Sequence, residues 1–298
     1  MSKRLIGWIS CSLLASASAL AQQDFSKVEV KALKLTDSTY MLSGAGGNIG
    51  LSVGDDAVFV IDSDFAPLAP KIKAAIARIS AKPVQFVLNT HFHFDHSGGN
   101  DALGKDGALI VAHDNVRQRM SSTQLISFIG ATQAASAKIA LPVVTVPGDV
   151  KFHINGDEVH AFHVPRAHTD GDLIVHFKKS DVVHMGDVYF NGMYPFIDSS
   201  SGGTADGVIA AVDRVLALIG DNTRVIPGHG PIATKANLSA YRTMLATVTQ
   251  RIKEHRRNGK TDDDIRAAQP AAEFKAALGG GFISSERFVL MMLGAITR

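Results

Sequence analysis

The run His91-Phe92-His93-Phe94-Asp95-His96 places three imidazoles and a carboxylate within six residues. It follows Val84-Gln85-Phe86-Val87-Leu88, an apolar segment that reads as a buried strand. Imidazole nitrogen and carboxylate oxygen are the donors that borderline divalent cations such as zinc favour. Alternate residues of an extended chain share a face, so His91, His93 and Asp95 are expected on one side. The turn signal Asp95-His96-Ser97-Gly98-Gly99 then lets His96 swing in. Such a run starts two adjacent cation sites more readily than it closes one. A solvated polar loop is the plain alternative, and four ligand-type residues in six at a strand end weigh against it.

Three further polar islands sit at the ends of predicted strands. His168 lies in Arg166-Ala167-His168-Thr169-Asp170-Gly171, Asp187 closes His184-Met185-Gly186-Asp187, and His229 is central to Pro227-Gly228-His229-Gly230-Pro231. Each puts one metal-capable side chain in a glycine-containing turn, where backbone can approach closely. Each is weak singly; together with the first cluster they gain force.

The remaining pattern predicts an α+β chain. Strands are expected at Val28–Leu33, Thr39–Leu42, Gly47–Val53 and Ala57–Ile61, then a helix over Pro67–Ile79. Beyond the histidine cluster come a short helix at Gly99–Leu103, a strand at Ala108–Ala112 and a helix at Asp114–Met120. Ser121–Leu141 is rich in Ala and Ser and carries weak helical character. A second strand-rich block covers Val150–Ile154, Glu158–Val164, Leu173–Phe177 and Val182–Met185. A helix over Ala205–Ile219, a strand at Arg224–Ile226 and a helix over Lys235–His255 follow. The segment Asp262–Arg298 is expected to be helical and broken at Gly279-Gly280-Gly281. Two similar halves imply two sheets face to face with helices outside.

The first residues, Met1-Ser2-Lys3-Arg4, an apolar centre and Ala19-Leu20-Ala21, read as an export signal over 1–21. The expected product is a periplasmic or secreted chain, 22–298, forming one domain with a helical segment from about 235. Cys11 is the one cysteine, so the processed chain has neither a disulfide nor a thiolate ligand. The chain carries 30 basic and 28 acidic residues; without Lys3 and Arg4 the two balance. That balance gives no electrostatic case for nucleic acid, and no segment beyond the signal is apolar enough to hold a membrane.

His-x-His-x-Asp-His followed by His, Asp and His in separate loops resembles the pattern of the metallo-β-lactamase superfamily, over roughly Val28 to Tyr241. The resemblance implies a four-layer αβ/βα sandwich with the site at one edge of the sheets. It also implies that His91, His93 and His168 hold one metal and that Asp95, His96 and His229 hold a second, with Asp187 bridging. The ligand set is similar to that of glyoxalase II-like and lactonase-like members, with two Zn2+ per chain, iron or manganese being other options. Asp62 matches an acidic position that members use behind the ligands, although a plain turn-forming Asp is an equal alternative.

Such a ligand set predicts a metal hydrolase in which a cation-acidified water, steered by Asp95, attacks a small-molecule substrate. An ester, lactone, thioester or amide bond is expected to be cleaved. Tyr189, Asn191 and Tyr194 follow Asp187 closely and are candidate donors to a carbonyl oxygen. Packing in the core is the alternative for Tyr189. Phe92 and Phe94 are expected to pack behind the ligand loop, and His113, His153, His160, His163, His176, His184 and His255 to play ordinary structural roles. Other activities of the superfamily remain as alternatives: β-lactam hydrolysis, and persulfide dioxygenation at one iron. A non-catalytic binding protein is a third. The oligomeric state is open.

Overall fold

Apolar residues alternate between two faces along nearly every strand, and this alternation builds the architecture. The computed structural model describes residues 24–296; the expected export signal lies outside the described residues. The first sheet begins with β1 (Lys31–Lys34), β2 (Thr39–Ser43), β3 (Ile49–Val53), β4 (Val58–Ile61), β5 (Val84–Leu88) and β6 (Leu109–His113). A separate hairpin of β7 (Gln124–Ile126) and β8 (Ala131–Gln133) follows, and β9 (Val144–Val146) then closes the far edge of the first sheet. Pairing is antiparallel from β1 to β4 and parallel from β4 through β5 and β6 to β9. The second sheet runs in order through β10 (Val150–Ile154), β11 (Asp157–His163), β12 (Leu173–Phe177), β13 (Val182–His184) and β14 (Arg224–Ile226). Only its last pair is parallel.

Phe59 and Ile61 point from β4 into the layer between the sheets, where they meet Ala161, Val175, Val182 and Ile226 from the second sheet. Val58 and Val60 point the other way and pack with Ile72, Ala75 and Ile76 of α1 (Ala69–Ala77). Phe162, Ile174, Val183 and Val225 face outward from the second sheet. They are covered by α5 (Ala205–Leu218), α6 (Lys235–Arg257) and the later α9 (Ser285–Ala295). This period-two division between layers gives the expected αβ/βα sandwich.

Short helices α2 (Phe94–Ser97), α3 (Asn100–Lys105) and α4 (Asp114–Met120) fill the crossovers of the first sheet. The C-terminal segment adds α7 (Asp262–Ala267) and α8 (Lys275–Leu278) before α9, with the break at Gly279–Gly281 as expected. Thr204, Thr234, Thr261 and Ser284 cap the starts of α5, α6, α7 and α9 by accepting backbone N–H groups. Among the described residues no helix is long and apolar enough to cross a membrane.

Three expectations need correction. The first strand is confined to Lys31–Lys34 rather than Val28–Leu33, because Val28 and Val30 pack as partly buried side chains outside the ladder. Ser121–Leu141 holds no α-helix: Gln124, Leu125 and Ile126 pair with Gln133, Thr132 and Ala131 as the β7–β8 hairpin, reversed through Gly130 at φ 65°. The edge strand β9 extends the first sheet where no strand was expected.

Candidate metal centre

The strand ends that carry the polar islands lie along one edge shared by both sheets. Asp62 follows β4 and the histidine run follows β5, while the loops after β11, β13 and β14 carry His168, Asp187 and His229. Their donor atoms converge. His91, His93, His168 and Asp187 each offer an atom within 4.8 Å of the others, and so do Asp95, His96 and His229. All seven residues are thus brought together, though not wholly by strand alternation. His93 ends the extended stretch, and one turn of α2 then delivers Asp95 and His96.

Asp187 lies between the two groups. Its Oδ1 is 2.9 Å from Nε2 of His96 and 3.3 Å from Nε2 of His229. Its Oδ2 is 3.6 Å from Nε2 of His168 and 3.8 Å from Nε2 of His91. Two glycines make this proximity possible. A Cβ on Gly47 would collide with the His96 imidazole, and one on Gly228 would collide with Oδ1 of Asp187. Asn48 ties the sheets together beside them, donating its side-chain amide to the carbonyls of Pro227 and Gly230, each at 2.9 Å.

The outer nitrogens of four imidazoles are fixed by acceptors, which sets their tautomers. His96 Nδ1–H donates to Asp62 at 2.8 Å, and His168 Nδ1–H donates to the Phe196 carbonyl at 2.8 Å. His93 donates through the opposite atom, Nε2–H, to Asp198 at 3.1 Å. Thr90 Oγ1 gives its hydrogen to Asp62 at 2.6 Å, so at 3.0 Å it accepts Nδ1–H of His91. His91, His93 and His168 therefore turn a lone pair inward, whereas on His96 burial is outweighed by the Asp187, Asp95 and Asp62 carboxylates, which raise the pKa well above the usual imidazole range. His93 Nδ1 faces His168 Nε2 at 3.0 Å, and His96 Nε2 faces His229 Nε2 at 3.3 Å. His91 Nε2 and Asp187 Oδ1 are buried without a hydrogen-bond partner among the described residues. Opposed lone pairs and orphaned buried acceptors are costly unless a cation joins them, so the donor set fits a metal.

The electrostatics agree. Burial holds His91 well below the usual imidazole range and pulls His168 down to about 4, so both are neutral donors. Burial also opposes charge on His229, but the Asp187 and Asp95 carboxylates outweigh it and raise that pKa to about 9. Asp95 is brought down to about 2, the His96 and His229 charges overcoming its burial. The two carboxylates thus attract positive charge to the very place where a cation would supply it. Asp95 and His229 keep side-chain exposures of 19% and 22%, against 5% or less for the other five, and so mark the mouth.

Asp62 holds His96 and Thr90, as its position suggested, and reaches them from a left-handed backbone at φ 65°. Asp198 is the residue that sequence reasoning missed; it stands in Asp198-Ser199-Ser200-Ser201, which offers no ligand-like spacing. The two tyrosines do not join the cluster. Tyr194 donates its hydroxyl to the Ala271 carbonyl at 3.1 Å and stacks on Phe288, so it packs the C-terminal helices instead of serving a substrate. Tyr189 donates to Asn191 at 3.0 Å and packs edge-on against Tyr241, so its hydroxyl is also occupied elsewhere. Phe92 is buried behind the loop with Val116 and Met120, as expected, whereas Phe94 is half-exposed and stacks on Phe65. His184 is structural, accepting from Gly186 N–H and donating to the Asn48 carbonyl. His163 donates to the Asp170 carbonyl and stacks on His113.

Residues 43–229 match the family model of the metallo-beta-lactamase superfamily. The chain is 27% identical over 192 residues to a hydroxyacylglutathione hydrolase of Polaromonas sp., covering 61% of this chain and 65% of that protein's length. A probable hydroxyacylglutathione hydrolase of Schizosaccharomyces pombe is 27% identical over 217 residues, covering 70% and 73% of the two chains. A metallo-beta-lactamase from Pontibacter korlensis superposes with a TM-score of 0.62 at 16% identity, covering 73% of this chain and 99% of the other. The matched span takes in the whole donor cluster and every strand from β3 to β14, and the chain therefore belongs to the metallo-beta-lactamase superfamily of metal-dependent hydrolases.

Proposed function

We propose that the protein is an exported dinuclear zinc hydrolase that cleaves an acyl bond, a thioester, ester, lactone or amide, of a small molecule. The observation that carries this reading is Asp187, with one oxygen beside His96 and His229 and the other toward His91 and His168. His91, His93, His168 and Asp187 would hold one cation; Asp95, His96 and His229 would hold the second, with Asp187 shared. When bound, such a pair supplies a Lewis acid for a carbonyl oxygen and a water acidified toward neutral pH. The chain's own groups do the rest. The Asp62, Asp198 and Phe196 acceptors keep the imidazoles aimed inward. Asp95, ionised at neutral pH and open to solvent, accepts a hydrogen bond that orients the attacking water. The hydroxyacylglutathione hydrolases among its relatives favour a thioester. Export is supported by the basic, apolar and small-residue succession over 1–21.

Elemental analysis of the protein as purified, followed by turnover of an S-acyl glutathione, a lactone, a p-nitrophenyl ester and nitrocefin, tests this. Two equivalents of zinc are expected, with hydrolysis of at least one acyl substrate that Asp187→Ala abolishes. One equivalent of iron, with oxygen consumption and no hydrolysis, overturns the reading in favour of an oxidative enzyme.

A further inference from the structure

The short helix α4 lies outside the donor cluster yet grips the chain beside two of its parts. Val116 and Met120 pack against Phe92, which stands between His91 and His93 and sets its ring centroid 4.5 Å from that of His93. Arg119 extends the same contact, its Cζ lying over the Phe92 ring at 5.5 Å from the centroid. The guanidinium then reaches Asp170, two residues beyond His168, with Nε 2.8 Å from Oδ1 and Nη2 2.7 Å from Oδ2. Asn115 adds a second hold from the helix, donating its side-chain amide to the Asp170 carbonyl at 2.9 Å.

A two-pronged Arg–carboxylate pair fixes direction as well as distance. Here its side chains are only 20% and 31% exposed, so solvent screens it less than an open surface pair. The hydrogen bonds to Asp170 outweigh burial and hold the guanidinium above its ordinary pKa, and Asp198 and Asp172 add to the attraction. The His168 loop has little slack to absorb a movement of Asp170. A Cβ on Gly203 would collide with the His168 carbonyl, and one on Gly202 would press on Cβ of Asp170. Asp172 clamps the loop between them, accepting Thr169 N–H at 2.8 Å.

We infer that Arg119 is a positioning residue for the first cation, keeping the His168 loop in register with His91 and His93. The inference rests on the metal-centre reading above and names the part of the chain that presets one half of it. Among the described residues no hydrogen bond or ion pair of Arg119 involves Asp95, His96 or His229. The effect is therefore confined to the three-histidine position.

Cobalt added to metal-free protein tests this, because the hyperfine-shifted N–H resonances of bound imidazoles report each position separately. His91, His93 and His168 mark the first, and His96 and His229 mark the second. Arg119→Ala should raise the cobalt concentration that half-fills the first position about tenfold and leave the second within about twofold. Arg119→Lys, which keeps the charge but not the fork, should recover part of that loss, to about threefold. Asp170→Ala should match Arg119→Ala, and the double variant should be no worse than either. In metal-free protein, Arg119→Ala should also quicken hydrogen exchange over 166–172 about tenfold. Equal weakening of both positions that Arg119→Lys does not relieve overturns the inference, as do unchanged filling and unchanged exchange. A native protein that takes up no cobalt, yet exchanges faster over 166–172 in Arg119→Ala, upholds the hold on the loop and sinks the metal-centre reading alone.

Discussion

Asp198 accepts Nε2–H of His93 at 3.1 Å, and so leaves Nδ1 of that imidazole facing Nε2 of His168 at 3.0 Å. The backbone reinforces the arrangement, since Asp198 N–H donates to the His168 carbonyl at 3.0 Å. One residue therefore fixes the ring of one donor and the loop of another. Asp198→Ala should weaken zinc binding by about 10- to 100-fold, as loss of an outer partner does. Asp198→Asn, whose Oδ1 still accepts the N–H, should lose less. Competition against a chelator measures both, and equal affinity in Asp198→Ala and the native protein refutes the role.

Asp187 offers its Oδ1 to the His96–His229 side at shorter range than its Oδ2 offers to His91 and His168. Asp187→Asn should therefore empty the second position first, reducing zinc from two equivalents to one. Elemental analysis after dialysis reads this directly, and two retained equivalents would contradict the shared-carboxylate assignment.

Tyr194 spends its hydroxyl on the Ala271 carbonyl inside the C-terminal packing. Tyr194→Phe should leave kcat and KM unchanged and lower stability by about 1 kcal/mol, the net worth of one buried hydrogen bond. Urea unfolding with parallel assays checks it; a large fall in kcat at native stability would return the residue to the active site.

Asp64 is buried at a left-handed φ of 53°, its Oδ1 accepting from Gly46 and Phe65 and its Oδ2 unpartnered among the described residues. Burial pushes its carboxyl up to about 6. Because the folded state holds this proton more tightly than the unfolded chain, stability falls as pH rises from about 4 to about 6 and is flat above. The contribution is on the order of 2–3 kcal/mol in metal-free protein. Asp64→Asn, which tolerates the same φ, should remove that part of the slope, and denaturant midpoints between pH 4.5 and 8 would show it. Nearby cations favour the carboxylate, so zinc loading should flatten the native profile as well.

Much of the centre was legible because metal donors are few and their contexts distinctive. His91, His93, Asp95 and His96 stand in one run, and His168, Asp187 and His229 each follow a segment with clear strand character. The way Asp95 and His96 arrive was not legible, since a one-turn helix and a strand end fit the same six residues. Asp198 was hidden because an acceptor behind a ligand needs no fixed spacing, only the return of the chain beside His93. Tyr189 and Tyr194 misled because closeness to Asp187 in sequence says nothing of which way a ring turns when Tyr241 and Phe288 are there to pack it. Alanine content favoured a helix at Ser121–Leu141, yet the cross-strand pairing of Gln124–Ile126 with Ala131–Gln133 overrode it.

The Asn48 side chain carries a last implication. It stitches the first sheet to the His229 loop, and the donors themselves divide along that seam, four from the first half and three from the second. Ions seated there would act as a further clasp between halves that also meet through apolar contact and the hydrogen bonds of Asn48 and His184. Withdrawing them should loosen the molecule first along that line, so the amide of Asn48 and the loop it grips are where deuterium would enter soonest.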